Sequence, residues 1–252
     1  MSVLAWGACA PHVFVPPSGP GEPFPDAAEA WAEAARACRG ASTYAATIRV
    51  HGRAGPDRLN ATMIGLVTAG DQISLTVPMM FGPPVFILGG TASSATLWLP
   101  RDRRVLTARA DEIVEAVTGL RLTPRALLAI LSGCVGQSRS MSGSLRYGKL
   151  GEITADDARV FVERQADRWR ITRGLVGGLI VDYQDLQGDW PRVLRVTTEA
   201  GRSPAVDLTM SIEQIEVNVT HPARDFVVSA AADAAPMSLE ELRAAGPLRE
   251  KK

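Results

Sequence analysis

Few side chains in this sequence carry chemistry. The cysteines are Cys9, Cys38 and Cys134, and the histidines are His12, His51 and His221. Cys38 and Cys134 can pair as a disulfide in an oxidising compartment, or stand as two buried thiols, and the sequence supports both readings. No C-x-x-C occurs, so a zinc site is not expected. No H-E-x-x-H, G-x-S-x-G, Walker A or G-x-G-x-x-G pattern is present. A triad drawn from His51 or His221 with a serine and an aspartate would use residue types that any chain of this length contains by chance. Asp156-Asp157 reads as a turn, and Asp182 and Asp185, either side of Tyr183, read as solvated carboxylates. No catalytic residue, metal or cofactor is therefore expected.

Composition narrows the function further. The 252 residues carry 27 basic and 27 acidic side chains. A nucleic-acid binder needs a basic footprint, and none shows. No run of three like charges occurs, and the Glu250-Lys251-Lys252 tail ends on two lysines. Hydrophobic residues make up 46% of the chain, enough for a sizeable core. No apolar run approaches the ~20 residues of a membrane-spanning helix.

The first nine residues, Met1-Ser-Val-Leu-Ala-Trp-Gly-Ala-Cys9, resemble the tail of a bacterial lipoprotein signal peptide, in which Cys9 carries the acyl anchor. No Lys or Arg precedes the apolar run, and Trp6 stands where such motifs usually have Leu. The other reading is a ragged N-terminus with an incidental cysteine. On the first, residues 1–9 are a signal remnant and residues 10–25, rich in Pro and Gly, are an extended linker. Residues 26–248 then form one folded domain.

Within that domain, Asp26 is placed to cap a helix running to about Arg39, with Glu29 at the capping-box position. Trp31, Ala34, Ala35 and Cys38 share one face of it. Strands follow. Tyr44, Ala46, Ile48 and Val50 alternate with polar residues, and Leu59–Thr68, 73–77, Val85–Leu88, Thr96–Leu99 and Arg104–Thr107 continue a meander with short turns. Asp111 is placed to cap a short helix that Gly119 ends. Thr123-Pro124 opens another, with Leu127, Leu128 and Leu131 on its apolar face and Gly133 as its stop. Strands resume near Ser144, with segments at 145–150, 159–164, 169–173, 179–183 and 192–198. In the last one, Val206, Leu208, Met210 and Ile212 share one parity while Ile215, Val217 and Val219 share the other. That change predicts a β-bulge near Glu213-Gln214. Ser238 and Glu241 form a capping box for a final helix.

No strand–helix–strand alternation appears, so a parallel sheet is not expected. The fold class is mainly β (α+β): one curved antiparallel sheet of about eleven strands, an open half-barrel with helices over its concave face.

This order of elements resembles the Lol superfamily, that is, the lipoprotein carrier LolA and its outer-membrane receptor LolB. The segments Ala37-Cys38-Arg39-Gly40 with Thr43-Tyr44, and Pro100-Arg101-Asp102-Arg103-Arg104-Val105-Leu106, look like bacterial lipoproteins of that superfamily. The resemblance implies a hollow between sheet and helices that binds lipid acyl chains. Trp31, Ile48, Val77, Phe86, Leu97, Leu127, Leu128 and Leu131 are the expected lining. It also implies a non-catalytic role in envelope transport, on a monomer facing the periplasm as an outer-membrane lipoprotein, with the inner membrane as the other site. In the receptor type, the loop after the third strand carries an exposed apolar residue that touches the membrane. Here Pro78-Met79-Met80-Phe81-Gly82-Pro83-Pro84 occupies that place, and Met79, Met80 and Phe81 either meet lipid or fold inward to plug the barrel. Arg49 matches the carrier's headgroup-binding basic residues by position alone, and also reads as a solvated strand residue. The runner-up role is a scaffold lipoprotein that binds a partner protein through this loop and its sheet edges.

Overall fold

The computed structural model describes residues 19–135, 141–155 and 158–248. Cys9, Trp6, His12, Asp156-Asp157 and the Glu250-Lys251-Lys252 tail lie outside the described residues.

A single sheet of fifteen strands dominates, in the order β1-β8-β9-β10-β11-β12-β13-β14-β2-β3-β4-β5-β6-β7-β15. Two meanders make it up. The first holds β2 (Thr43–Ala54), β3 (Asp57–Thr68), β4 (Gln72–Val77), β5 (Phe86–Thr91), β6 (Ala95–Leu99) and β7 (Arg104–Ala108). The second holds β8 (Met141–Arg146), β9 (Leu150–Ala155), β10 (Ala158–Gln165), β11 (Arg168–Val176), β12 (Leu179–Gln187), β13 (Trp190–Thr198) and β14 (Val206–Val217). They join along β14 and β2, paired from Val206↔Ala54 to Val217↔Tyr44. The expected bulge is there: the register shifts between Glu213 and Glu216, and Gln214 takes a φ of 51°. It lets Val206–Ile212 face the core on one parity while the strand continues beyond.

The strand count exceeds the expected eleven partly because each edge carries a two-residue strand. β1 (Glu22–Pro23) pairs with Leu145 and Ser144 of β8, so the end of the Pro/Gly-rich stretch joins the sheet and Phe24 is buried. β15 (Ala235–Pro236) pairs with Arg104 and Val105 of β7, and it does so parallel, the exception in an otherwise antiparallel sheet. Proline lacks the N–H that a further strand would need, so both edges are blunted.

Topology places the helices. The chain must travel from β7, next to one edge, to β8, next to the other, and that crossing carries α3 (Ala110–Thr118) and α4 (Pro124–Ser132) over the concave face of the first meander. Gly119 ends α3 and Gly133 ends α4, both left-handed at φ 77° and 84°. The Thr123 side chain accepts from the Ala126 N–H to cap α4. Asp111 does not cap α3. Arg109 holds that position, and Asp111 sits inside the first turn, buried between two arginines.

The first helix also departs from expectation. It breaks at Ala35 into α1 (Ala27–Ala34) and α2 (Arg36–Arg39), and the Asp26 side chain makes no cap bond. α1 packs on β8 to β11, so it covers the second meander rather than the first. Cys38 at the end of α2 is joined to Cys134, just past α4, by a disulfide with Cα atoms 5.4 Å apart. That bond ties the helical cover of one half to that of the other.

After β14 the chain crosses the outer face. A 3₁₀ turn at Ala223–Phe226 lies against β4 and β5, where Gly89 lets it approach: a Cβ there would stand 2.8 Å from the Phe226 carbonyl oxygen. The chain then forms β15 and α5 (Leu239–Ala245), which packs on α3. Ser238 and Glu241 make the expected capping box.

Candidate functional site

The inner face of the first meander is set by period-two alternation. Ile48 and Val50 of β2, Leu59 and Met63 of β3, Leu75 of β4, Phe86 and Leu88 of β5 and Leu97 of β6 all point inward and are buried. Ile113, Val114 and Val117 of α3 and Leu127 and Leu131 of α4 face them at helical spacing. Between the two layers lies a cavity. Its volume is about 60 Å³. Of nineteen wall residues, Thr118 alone has a polar side chain, and its hydroxyl donates to the Val114 carbonyl at 2.8 Å. The wall therefore offers a guest no unpaired polar group. Such a space stays dry and takes apolar matter.

The link from α3 to α4 completes the wall. Leu120 and Leu122 point into the cavity, and Arg121 between them turns out along α3. Its Nε is 3.0 Å from Asp111 Oδ2, and its Nη2 and Nη1 lie 3.8 and 3.9 Å from Glu112 and Glu115. Alternation apolar–charged–apolar thus pins a loop to the helix it leaves.

Five of the eight residues expected to line the hollow are on its wall: Ile48, Phe86, Leu97, Leu127 and Leu131. Three are not. Trp31 is buried but belongs to α1, which covers the other half of the sheet. Leu128 follows Leu127 by one residue, about 100° round the helix, and is buried outside the wall. Val77 is buried at the end of β4, beyond the wall. Fourteen wall residues lie outside the expected set, among them Ile113, Val114 and Val117 of α3, whose i, i+1, i+4 apolar pattern is visible in the sequence, and Leu248, which no local pattern distinguishes.

Met79, Met80 and Phe81 stand on the loop between β4 and β5. Met80 is 89% and Phe81 84% exposed, so the loop is not folded into the barrel. Arg101, on the β6–β7 turn, donates to the Met79 sulfur at 3.4 Å. Arg49 is exposed and lies 3.6 Å from Glu213 on the neighbouring strand, a surface pair. Asp182 corrects the reading of a solvated carboxylate: it is buried in a two-pronged pair with Arg173, one bond of 2.8 Å from Nη2 and the other from Nε. Asp185 is exposed. His51 is exposed, and His221 lies 3.3 Å from Asp225.

Other hollows differ in character. A cleft of about 30 Å³ beside the disulfide is lined by Arg36, Arg168, Arg170 and Asp189 among others. Concavities of about 550 and 520 Å³ on the second meander have mixed polar and apolar walls. Among the described residues no group of three or more His, Cys, Asp or Glu is placed to hold a metal. No helix among them is long and apolar enough to cross a membrane.

Among solved structures the chain has several distant matches. A LolA superfamily protein from Nitrosomonas europaea matches at 9% identity and a TM-score of 0.47, over 80% of this chain and 97% of that one. A DUF1329 family protein from Desulfovibrio piger matches at 10% identity and 0.45, over 80% and 97%. LprF from Mycobacterium bovis matches at 13% identity and 0.35, over 80% and 98%. No family model matches the sequence, and no curated protein matches it significantly.

Proposed function

We propose that this chain is a non-catalytic binder of acyl chains, carried by a lipid or a lipoprotein, and acts in transport within a bacterial cell envelope. The observation that carries the reading is the cavity wall, apolar at every position but Thr118, between a curved sheet and two helices. Burial of hydrocarbon supplies the affinity, at ~0.8 kcal/mol per CH₂. At about 60 Å³ the open space is small. It accepts the tip of an alkyl chain as it stands, and α3 and α4 must move outward to admit a longer stretch. Release needs an acceptor, membrane or protein, that holds the chain more favourably.

In the same proposal the Met79–Phe81 loop docks on a lipid surface. Its exposure and apolar character support this, since a soluble surface rarely leaves such a cluster bare. The Cys9 tether belongs to the proposal too. The scaffold alternative loses one of its surfaces, because short proline-bearing strands blunt both sheet edges.

Native mass spectrometry on protein gently purified from its own envelope tests the reading. The expected result is a stoichiometric lipid or acylated peptide, lost in Leu131→Trp. A clean apo mass, with no uptake when lipid is titrated in, would overturn it in favour of the scaffold. The same spectrum reads the acylation state of Cys9.

A further inference from the structure

We infer that an alkyl chain reaches the cavity sideways, through a portal between the outer half of β3 and the β4–β5 loop, and that Leu248 is the stopper it displaces. This rests on the acyl-binding reading above and adds a route and a gate to it.

The portal follows from unequal strand lengths. β3 pairs with β2 from Asp57 to Thr68, but with β4 only over Ile64–Val67, because β4 ends at Val77. The stretch before Ile64 therefore has an edge that β4 leaves bare. The segment after α5 fills it. The Asn60 N–H donates to the Leu248 carbonyl at 3.4 Å, so this segment lies where a longer β4 would have run. The Leu248 side chain is 3% exposed and belongs to the cavity wall with Leu59 and Met63.

At the β2–β3 turn and the end of α3 lies a groove of about 300 Å³ that shares Leu59, Val117 and Thr118 with the cavity wall and has Gly246 on its rim. Cavity and groove thus meet at Leu59, Val117 and Thr118, and the groove's rim at Gly246 is two residues before the stopper. The stopper is mounted to move without unfolding its support. α5 is anchored by fully buried Leu242 and its capping box, and Gly246, left-handed at φ 50°, turns the chain away from the helix. Beyond that turn the main-chain bond to Asn60 is long and therefore weak. A single leucine gives way to a single unbranched alkyl chain, which sets the ligand class. The Met79–Phe81 loop leaves β4 toward the same end of the barrel, so the portal opens beside the surface proposed to meet lipid.

The test is stopped-flow uptake of a fluorescent fatty acid, cis-parinaric acid, by the whole chain and four variants. Leu248→Ala is expected to accelerate association roughly tenfold, because the closed state no longer has to open first, and Leu248→Trp to slow it. Asn60→Pro removes the N–H that holds the stopper while leaving the wall intact, and should accelerate uptake even if Leu248→Ala proves unstable. Leu131→Trp, inside the cavity, should abolish uptake. Equal rates in wild type, Leu248→Trp and Asn60→Pro, with uptake still abolished by Leu131→Trp, would overturn the portal and leave the cavity reading standing. No uptake by any form would overturn both.

Discussion

Arg121 holds Asp111 at 3.0 Å across ten residues of sequence, and in doing so fixes the two leucines that flank it against the cavity. Burial acts to raise the Asp111 carboxyl, but hydrogen bonds and charge from Arg121 and Arg109 outweigh it, so the group titrates below the usual carboxylate range. Its folded value is depressed. The stability it contributes is therefore present above the unfolded carboxylate value of ~3.9, and is lost as pH falls through the lowered folded value. Both arginines are more than half exposed, which weakens the pair through solvent screening. Asp111→Asn should cost about 1–2 kcal/mol near neutrality. In urea titrations, the gap between variant and wild type should close in acid below the ordinary carboxylate range. A gap independent of pH would show that packing, not charge, holds the link.

The disulfide should contribute more than any single contact. Cys38 and Cys134 are 96 residues apart, and a loop of that size implies about 3–5 kcal/mol from restriction of the unfolded chain. Cys134→Ala, or a reductant added to wild type, should lower the denaturation midpoint by the corresponding amount. Wild type that loses nothing on reduction would count against the bond as a stabilising link.

Leu131 is 2% exposed and lies on the cavity wall. Truncation to Ala should destabilise by about 2–5 kcal/mol while enlarging the space for a guest. Calorimetric titration with a fatty acid should then show a stability loss joined to tighter binding. Loss of both together would mean that Leu131 is only core.

The loop prediction runs the other way. Met80 and Phe81 are almost fully exposed, so replacing both with Glu should change folding stability by no more than about 0.5 kcal/mol. Sedimentation with anionic phospholipid vesicles should fall sharply. Unchanged vesicle binding and lipid transfer would remove the loop from the mechanism.

Much of the architecture was legible in local patterns. The alternation of Tyr44, Ala46, Ile48 and Val50, the parity change at Glu213-Gln214, the Thr123-Pro124 start and the Ser238/Glu241 box each depend on neighbours within a few residues. Long-range packing was not legible. Asp26 reads as a cap but makes no cap bond, and Asp111 reads as a cap but is claimed by Arg121. Trp31 sits on a perfectly periodic face, yet which half of the sheet that face meets depends on the order of strands far downstream. Asp182 looks solvated until β11 brings Arg173 opposite it. Leu248 has no periodic partner at all and gains its place from the shortness of β4.

The two-residue strands at the sheet margins have a consequence for how the molecule lives in a crowd. A sheet that does not close on itself has two free margins, and every unsealed seam invites self-templated polymerisation. Glu22–Pro23 and Ala235–Pro236 let the sheet stay unclosed without becoming a nucleus for fibrils. Substitutions that lengthen either margin, by exchanging its proline for a β-branched residue, would be tolerated by the fold and still shorten the protein's lifetime in solution.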